Sequence, residues 1–391
     1  MEEQATLLEK IDPFQVIFII HLIGLLIMPL MDLVVPLHHP FQSETLIKII
    51  LVAWSGYLVG KYLGKLTSYK EISVINHSQI NIKILIFLII LQFLIVMLRY
   101  FFKGIPILSS SPGISKGFFL ESPTYGCTRI LYIFLPLSIF VYLAYQFKNR
   151  KKLFTFGNCY ILGIGLFPLF IGLFKGSVIT FILGIVLIYD KFLKRVRLKI
   201  SLRNILLALL IILIPILQYN YSEGEGDFLR SGAYVFQRLT VYSLEGFNYI
   251  VYANLPKTVN DQFRILLGVN SDYPQNPGIL LSQEMLDKTD PNFSTVTTLY
   301  GFCWRNGGWL LVIIAFTVLG LIVEKLVSKI RNSNNEFFVP LYICIIIVLL
   351  KTVLVGEPFN DLRGPALSLL FAVVIFKLTK RKPNQNENPI S

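Results

Sequence analysis

Apolar residues in this chain gather into ten long runs, at 13–35, 44–61, 82–102, 126–147, 154–173, 176–190, 203–219, 306–327, 337–355 and 364–379. Each approaches the roughly 20 residues that a helix needs to cross about 30 Å of hydrocarbon. The sixth and seventh are short, which suits helices of little tilt or a locally thinned bilayer. No ten-residue segments alternate as membrane-barrel strands do, so helices are the expected spanning element. The first run is too long and too poorly flanked for a cleaved leader and is expected to remain as an anchor. The pattern therefore predicts an all-α polytopic integral membrane protein of about ten transmembrane helices, with residues 1–391 as a single integral membrane domain.

One connection breaks the rhythm. Residues 220–304 are mostly polar, with seven apolar runs before them and three after, so this long loop lies on one face of the bilayer. Its stretch 228–252 (FLRSGAYVFQRLTVYSLEGFNYIVY) has neither Pro nor a long polar run and reads as a helix. That helix would align Arg230, Tyr234 and Arg238 at i, i+4 and i+8 on one face. Turn-forming pieces follow, VNSDYPQNPG at 269–278 and DKTDPN at 287–292, so the second half is expected to be irregular. The connection from Lys103 to Tyr125 is rich in Gly, Pro and Ser, which argues for turns.

Composition agrees with the apolar pattern. Hydrophobic residues make up 54% of the chain and charged residues 15%, with a mean hydropathy of +0.65, outside the range of ordinary soluble domains. Charge adds orientation. Basic clusters occupy alternate connections: Lys148, Arg150, Lys151 and Lys152; Lys191, Lys194, Arg195, Arg197, Lys199 and Arg203; Lys325, Lys329 and Arg331; Lys377, Lys380, Arg381 and Lys382. This side carries the whole formal excess of +13, so the charge is topological and no argument for nucleic acid. The positive-inside bias then puts both termini in the cytoplasm and the long loop outside. Cys159 and Cys344 fall within spans, while Cys127 and Cys303 lie near outer helix ends. A Cys127–Cys303 disulfide is one arrangement on an oxidising side; isolated buried thiols are the other.

Several cations stand against that bias, on the expected outer side. Arg99 and Lys103 close the third span, Arg129 lies near the start of the fourth, and Lys175 occupies the tight turn between the fifth and sixth. Arg305 begins the eighth span, Lys351 lies within the ninth and Arg363 follows it. With Arg230 and Arg238 they form a set at headgroup depth. An anionic lipid-linked substrate would give such a set a purpose, because guanidinium forks pair bidentately with phosphate oxygens. If pyrophosphate leaves, preorganised cations also stabilise its developing charge. The competing reading is that they snorkel or pair with Glu121, Glu357 and Asp361.

Aromatics crowd the first half of the loop, among them Phe228, Tyr234, Phe236, Tyr242, Phe247, Tyr249 and Tyr252. They suit stacking on sugar rings and equally an interfacial aromatic belt. Glu223, Glu225 and Asp227 alternate with glycines; a metal site is weighed there against a solvated turn, and no metal is expected. Candidate bases are Glu245, Asp227, Asp272 and Glu357. His21 falls in the first span, His38 and His39 at its outer exit, and the long loop has no histidine. His38 and His39 read as interfacial polar residues rather than a metal pair. No phosphate loop, H-E-x-x-H or G-x-S-x-G motif occurs.

The layout resembles the O-antigen or oligosaccharide repeat-unit polymerases, the Wzy family. It does so through the span pattern with one large outer loop in the C-terminal half, GIPILSSS at 104–111, FKGSVITFIL at 174–183, and LYGFCWRNGGWLLVIIAFTVLG at 299–320. The resemblance implies a bacterial inner-membrane enzyme. It would transfer a growing glycan from undecaprenyl pyrophosphate to a sugar hydroxyl of an incoming lipid-linked repeat unit, in O-antigen, capsule or exopolysaccharide synthesis. Glu245 or Asp227 would assist the hydroxyl. Arg230, Arg238, Arg305, Lys175, Arg99, Arg129, Lys351 and Arg363 would hold the pyrophosphate, with Tyr234 and Tyr242 against the glycan. No cofactor is required, the partners are the lipid-linked oligosaccharide and the bilayer, and there is room for a chain-length regulator. Two departures stand out. The related O-antigen ligases are expected to use an outer-loop histidine, absent here, and Lys175 with Gly176 stands where family members commonly carry Arg. An O-antigen ligase, another polyprenyl-lipid glycosyltransferase, or a flippase for lipid-linked glycans are the alternatives; a transporter should bury ionisable groups near the midplane and break its helices. For such a break the sequence offers Gly163, Gly165, Pro168 and Gly172.

Overall fold

The structure, a computed structural model, describes residues 7–32, 39–67, 80–109, 130–149, 153, 155–193, 242–253, 298–355 and 358–379. A helical turn α1 (Leu7–Lys10) precedes α2 (Pro13–Asp32), α3 (Ser43–Thr67) and α4 (Ile82–Lys103). A π-helical turn at Ile130–Phe134 leads into α5 (Leu135–Lys148), followed by α6 (Phe156–Ile171), α7 (Lys175–Leu193) and α8 (Tyr242–Ala253). The last three helices are α9 (Thr298–Asn332), α10 (Phe338–Val355) and α11 (Pro358–Thr379).

Among the described residues, five helices are long and apolar enough to cross a membrane: α3, α4, α5 with its leading turn, α7 and α9. Shorter apolar helices cover the spans of α2, α6, α10 and α11. The chain is thus a multi-pass α-helical membrane protein. Large apolar side chains on the helix surfaces, such as Leu26 (71% exposed) and Leu310 (70% exposed), suit lipid rather than water. The expected seventh span, 203–219, lies outside the described residues, as does 228–241 of the expected loop helix.

The described residues fall into two compact units. The first draws on 1–70, 198–329 and 345–365. Here Asp12 starts α2: its Oδ1 accepts from the backbone N–H groups of Phe14 (2.9 Å) and Gln15 (3.4 Å), and Pro13 follows at the position where a missing N–H costs nothing. The same carboxylate accepts from the Tyr57 hydroxyl (2.9 Å) and from Lys61 Nζ (2.7 Å), and Lys61 also lies 3.8 Å from Glu324. Gly56, Gly60 and Gly64 recur every four residues along α3 and face Ile313, Thr317, Leu321 and Glu324 of α9, while Gly320 faces Tyr57 and Lys61. Both series rise together, so the two helices run parallel, with backbones brought close by residues that lack a Cβ.

The second unit draws on 71–197, 330–344 and 366–391. Its centre is α5, buried on nearly every face from Leu135 to Phe147. Gly165 of α6 meets Phe181 and Ile139, and Gly184 of α7 meets Phe140. Where the transporter alternative has Gly163, Gly165 and Pro168 to offer for a break, the helix is continuous, and it ends at Gly172. Asn81 caps α4, accepting from Lys83 N (3.2 Å), and its own N–H donates to the Thr379 carbonyl (2.6 Å). Lys148 pairs with Glu336 at 2.5 Å, and Lys191 Nζ donates to the Arg331 carbonyl at 2.8 Å. Tyr100 donates to the Pro168 carbonyl at 2.6 Å.

Within each unit these contacts join helix ends that the charge alternation assigns to one side. Asp12, Lys61 and Glu324, and likewise Lys148, Glu336, Lys191 and Arg331, belong to the basic-rich ends. Tyr100 and Pro168 belong to the opposite ends.

Candidate functional site

The candidate site is the end of the first unit opposite the basic-rich one. It is built from three pieces: α8, from the long loop; the connection 39–42 between α2 and α3; and the opening turns of α9. Every side chain described from Leu244 to Ile250 is buried. Helix α8 is thus seated in protein, not laid on a surface.

Asn248 carries much of the seating. Its Oδ1 accepts from the Gln42 N–H at 2.8 Å, and its Nδ2 donates to the Pro40 carbonyl at 3.1 Å. The His39 ring lies 4.4 Å from Tyr249 and 5.7 Å from Tyr252, centroid to centroid. On another face, Phe247 meets Tyr300 at 5.9 Å, and Trp304 and Ala253 pack on Tyr249 and Ile250. Glu245, one turn before Asn248, is 7% exposed. A carboxylate so far from water is expensive unless its charge is compensated.

Tyr300 is the floor of the site. It stacks on Phe316 at 5.1 Å, with Phe18 at 5.8 Å, and its hydroxyl lies 3.1 Å from Nδ1 of His21, near the middle of α2. His21 is fully buried and its Nε2 has no hydrogen-bond partner among the described residues.

Two backbone outliers bracket the first turns of α9. Thr298 has a φ of 62°, and its Oγ1 accepts from the Gly301 N–H at 3.3 Å. Gly308, with φ 55° and ψ −145°, interrupts α9 in a region that only glycine enters cheaply. Trp304 and Trp309 meet edge-on across this kink at 4.8 Å. The helix starts earlier than the expected span, at Thr298, and Arg305 sits half-buried in its first segment, before the kink.

The remaining candidates are distributed as follows. Asp227, Arg230, Tyr234, Arg238 and Arg129 lie outside the described residues, as do Asp272, Glu357 and Cys127. Tyr242, Lys175 and Arg363 lie in α8, α7 and α11, with side chains outside what the structure describes. Lys175 opens α7, and the turn expected there is made by 172–174, where Leu173 has a φ of 56°. Lys351 is exposed on α10. Arg305, Lys351, Arg363 and Glu245 belong to the first unit; Arg99, buried at 6% exposure, and Lys175 belong to the second. Among the described residues no group of three or more His, Cys, Asp or Glu side chains could hold a metal ion.

Sequence reasoning did not single out Asn248 or Tyr300 and gave His21 no partner. An Asn on the buried face of an amphipathic loop helix was the available signal for the first. No protein-family model matches the chain, and no curated protein or solved structure matches it either.

Proposed function

We propose that the protein is a polysaccharide polymerase, moving a growing glycan from a polyprenyl pyrophosphate to an incoming lipid-linked repeat unit at the outer face of a bacterial cytoplasmic membrane. The observation that carries this reading is the seating of α8. The long loop carries a buried carboxylate, Glu245, on the same helix whose Asn248 meets the α2–α3 connection and whose Tyr249 and Ile250 pack with Trp304 of α9. Backbone outliers at Thr298 and Gly308 beside it are the kind that concentrate at working sites.

In the proposed step Glu245 takes the proton of the acceptor hydroxyl as its oxygen bonds to the anomeric carbon. The bond from that carbon to the pyrophosphate oxygen breaks, and polyprenyl pyrophosphate leaves with the electron pair. Arg305, with Arg230 and Arg238, offsets the charge on the leaving group. Tyr252, 49% exposed beside His39, offers a ring face to the glycan. The sugar–pyrophosphate bond supplies the driving force.

Replacing Arg230, Arg238 or Arg305 with Ala is expected to abolish chain-length ladders from cells while the protein stays inserted. Normal ladders from all three variants would refute this cationic site.

A second reading has specific support. His21 is buried midway along α2 and α9 is broken at Gly308, both features of transporters. A flippase for lipid-linked glycans would use them to move its cargo.

A further inference from the structure

We infer that Asn248 is a positioning residue that clamps the loop helix to the α2–α3 connection and so aims Glu245. The inference rests on the reading of Glu245 as the base.

The connection itself creates the need. The Gln42 carbonyl already accepts the Leu46 N–H at 3.1 Å to start α3, but the Gln42 N–H and the Pro40 carbonyl lie outside the helix. Pro40 is exposed and Gln42 half-buried, so water could serve these two groups in the free connection; in the folded protein a buried side chain of α8 serves both instead. A primary amide offers a donor and an acceptor side by side, and Asn248 meets both groups with them, at 3.1 Å and 2.8 Å. These partners also fix which end of the amide is oxygen, since a carbonyl cannot donate and an N–H cannot accept. Aspartate could satisfy the N–H alone and would set its other oxygen against the Pro40 carbonyl. Leucine could satisfy neither.

Asn248 itself is 1% exposed. Its two bonds and the Phe247 contact with Tyr300 on another face set the roll of α8 about its axis. Glu245 stands three residues back, where helical side chains are neighbours. Fixing the roll therefore fixes the direction in which the Glu245 side chain leaves the helix, and with it the space its carboxylate can reach.

The test uses the full chain in lipid nanodiscs. Asn248→Ala removes the clamp from α8. Gln42→Pro removes the N–H donor from the other side of the clamp, at the residue before α3, and Gln42→Ala, which keeps that N–H while losing the same side chain, is its control. Asn248→Ala and Gln42→Pro are both expected to raise amide hydrogen exchange across 242–253 by about tenfold or more. With lipid-linked repeat units supplied, Asn248→Ala should lower kcat about tenfold while KM stays within about twofold. In a Glu245→Gln background, Asn248→Ala should then cost nothing further, because the two residues act as one. Unchanged exchange in both variants would overturn the clamp. The same tenfold loss in the Glu245→Gln background would overturn the aiming of Glu245 and leave Asn248 a structural residue. If the unmodified protein elongates nothing, the polymerase reading fails by itself, and the exchange measurement still decides the clamp.

Discussion

Gly60 of α3 lies so close to Thr317 of α9 that a Cβ at position 60 would overlap the Thr317 carbonyl oxygen. The contact is returned from the other side, where a Cβ on Gly320 would overlap the carbonyl oxygen of Tyr57. In a membrane, where no hydrophobic effect drives helices together, such close approach is a main source of association.

Gly60→Ala is therefore expected to destabilise the protein by about 1–3 kcal/mol, since neither helix can yield without losing the other's contacts. Gly163→Ala is the control. Nothing lies within 4 Å of a Cβ there, so ordinary helix propensity should make it neutral or slightly stabilising. Denaturation in mixed detergent micelles compares the two.

Lys61 links two carboxylates, Asp12 and Glu324, whose side chains are 10% and 6% exposed. Removing the cation leaves both without it in a poorly solvated place. Lys61→Met should cost about 3 kcal/mol or more, while combining it with Asp12→Asn should recover part of that loss. The same denaturation assay reads the difference; equal stability of the single and double variants would contradict the pairing.

Tyr300 and His21, both fully buried, share a bond of 3.1 Å. Tyr300→Phe should cost about 1 kcal/mol or somewhat more, because the ring stacking stays while Nδ1 loses its partner. In the double variant with His21→Leu the two losses should not add. Additive losses would mean the two side chains do not interact.

Glu245→Gln keeps the size of the side chain but removes the base. Elongation should fall about 100-fold or more at unchanged expression and insertion. Activity within twofold of the unmodified chain would move the base elsewhere, with Asp227 next in line.

Much of the fold was legible because crossing a bilayer demands length and apolarity, which the sequence displays directly. Nine of the ten expected runs coincide with helices, and the tenth lies outside the described residues. Boundaries were harder where polarity and helicity part company. Arg305, Asn306 and Gly307 read as an interface, yet backbone hydrogen bonding continues through them, and Asn306 Nδ2 even donates back to the Phe302 carbonyl at 2.9 Å. The glycines of α6 offer a break, yet the helix runs on through them: Gly165 makes room for Phe181 and Ile139 while Gly163 faces open space, and the break falls at Gly308. Glycine alone does not say whether its missing Cβ serves a kink or a close contact. The repeat of Gly56, Gly60 and Gly64 was a readable signal for close helix packing. The seating of α8 was less so, since Asn248 bonds to residues more than 200 positions away, and no local pattern announces such a partner.

The most direct trial of the proposed activity is elongation by the purified protein in detergent, supplied with polyprenyl-pyrophosphate-linked repeat units and no other protein. Without two compartments there is nothing to transport, so only an enzyme leaves a trace. The expected result is a ladder of lengthened glycans with release of polyprenyl pyrophosphate, lost in Glu245→Gln. Unlengthened repeat units, recovered from protein shown to be folded and to bind them, would contradict the polymerase and favour the flippase.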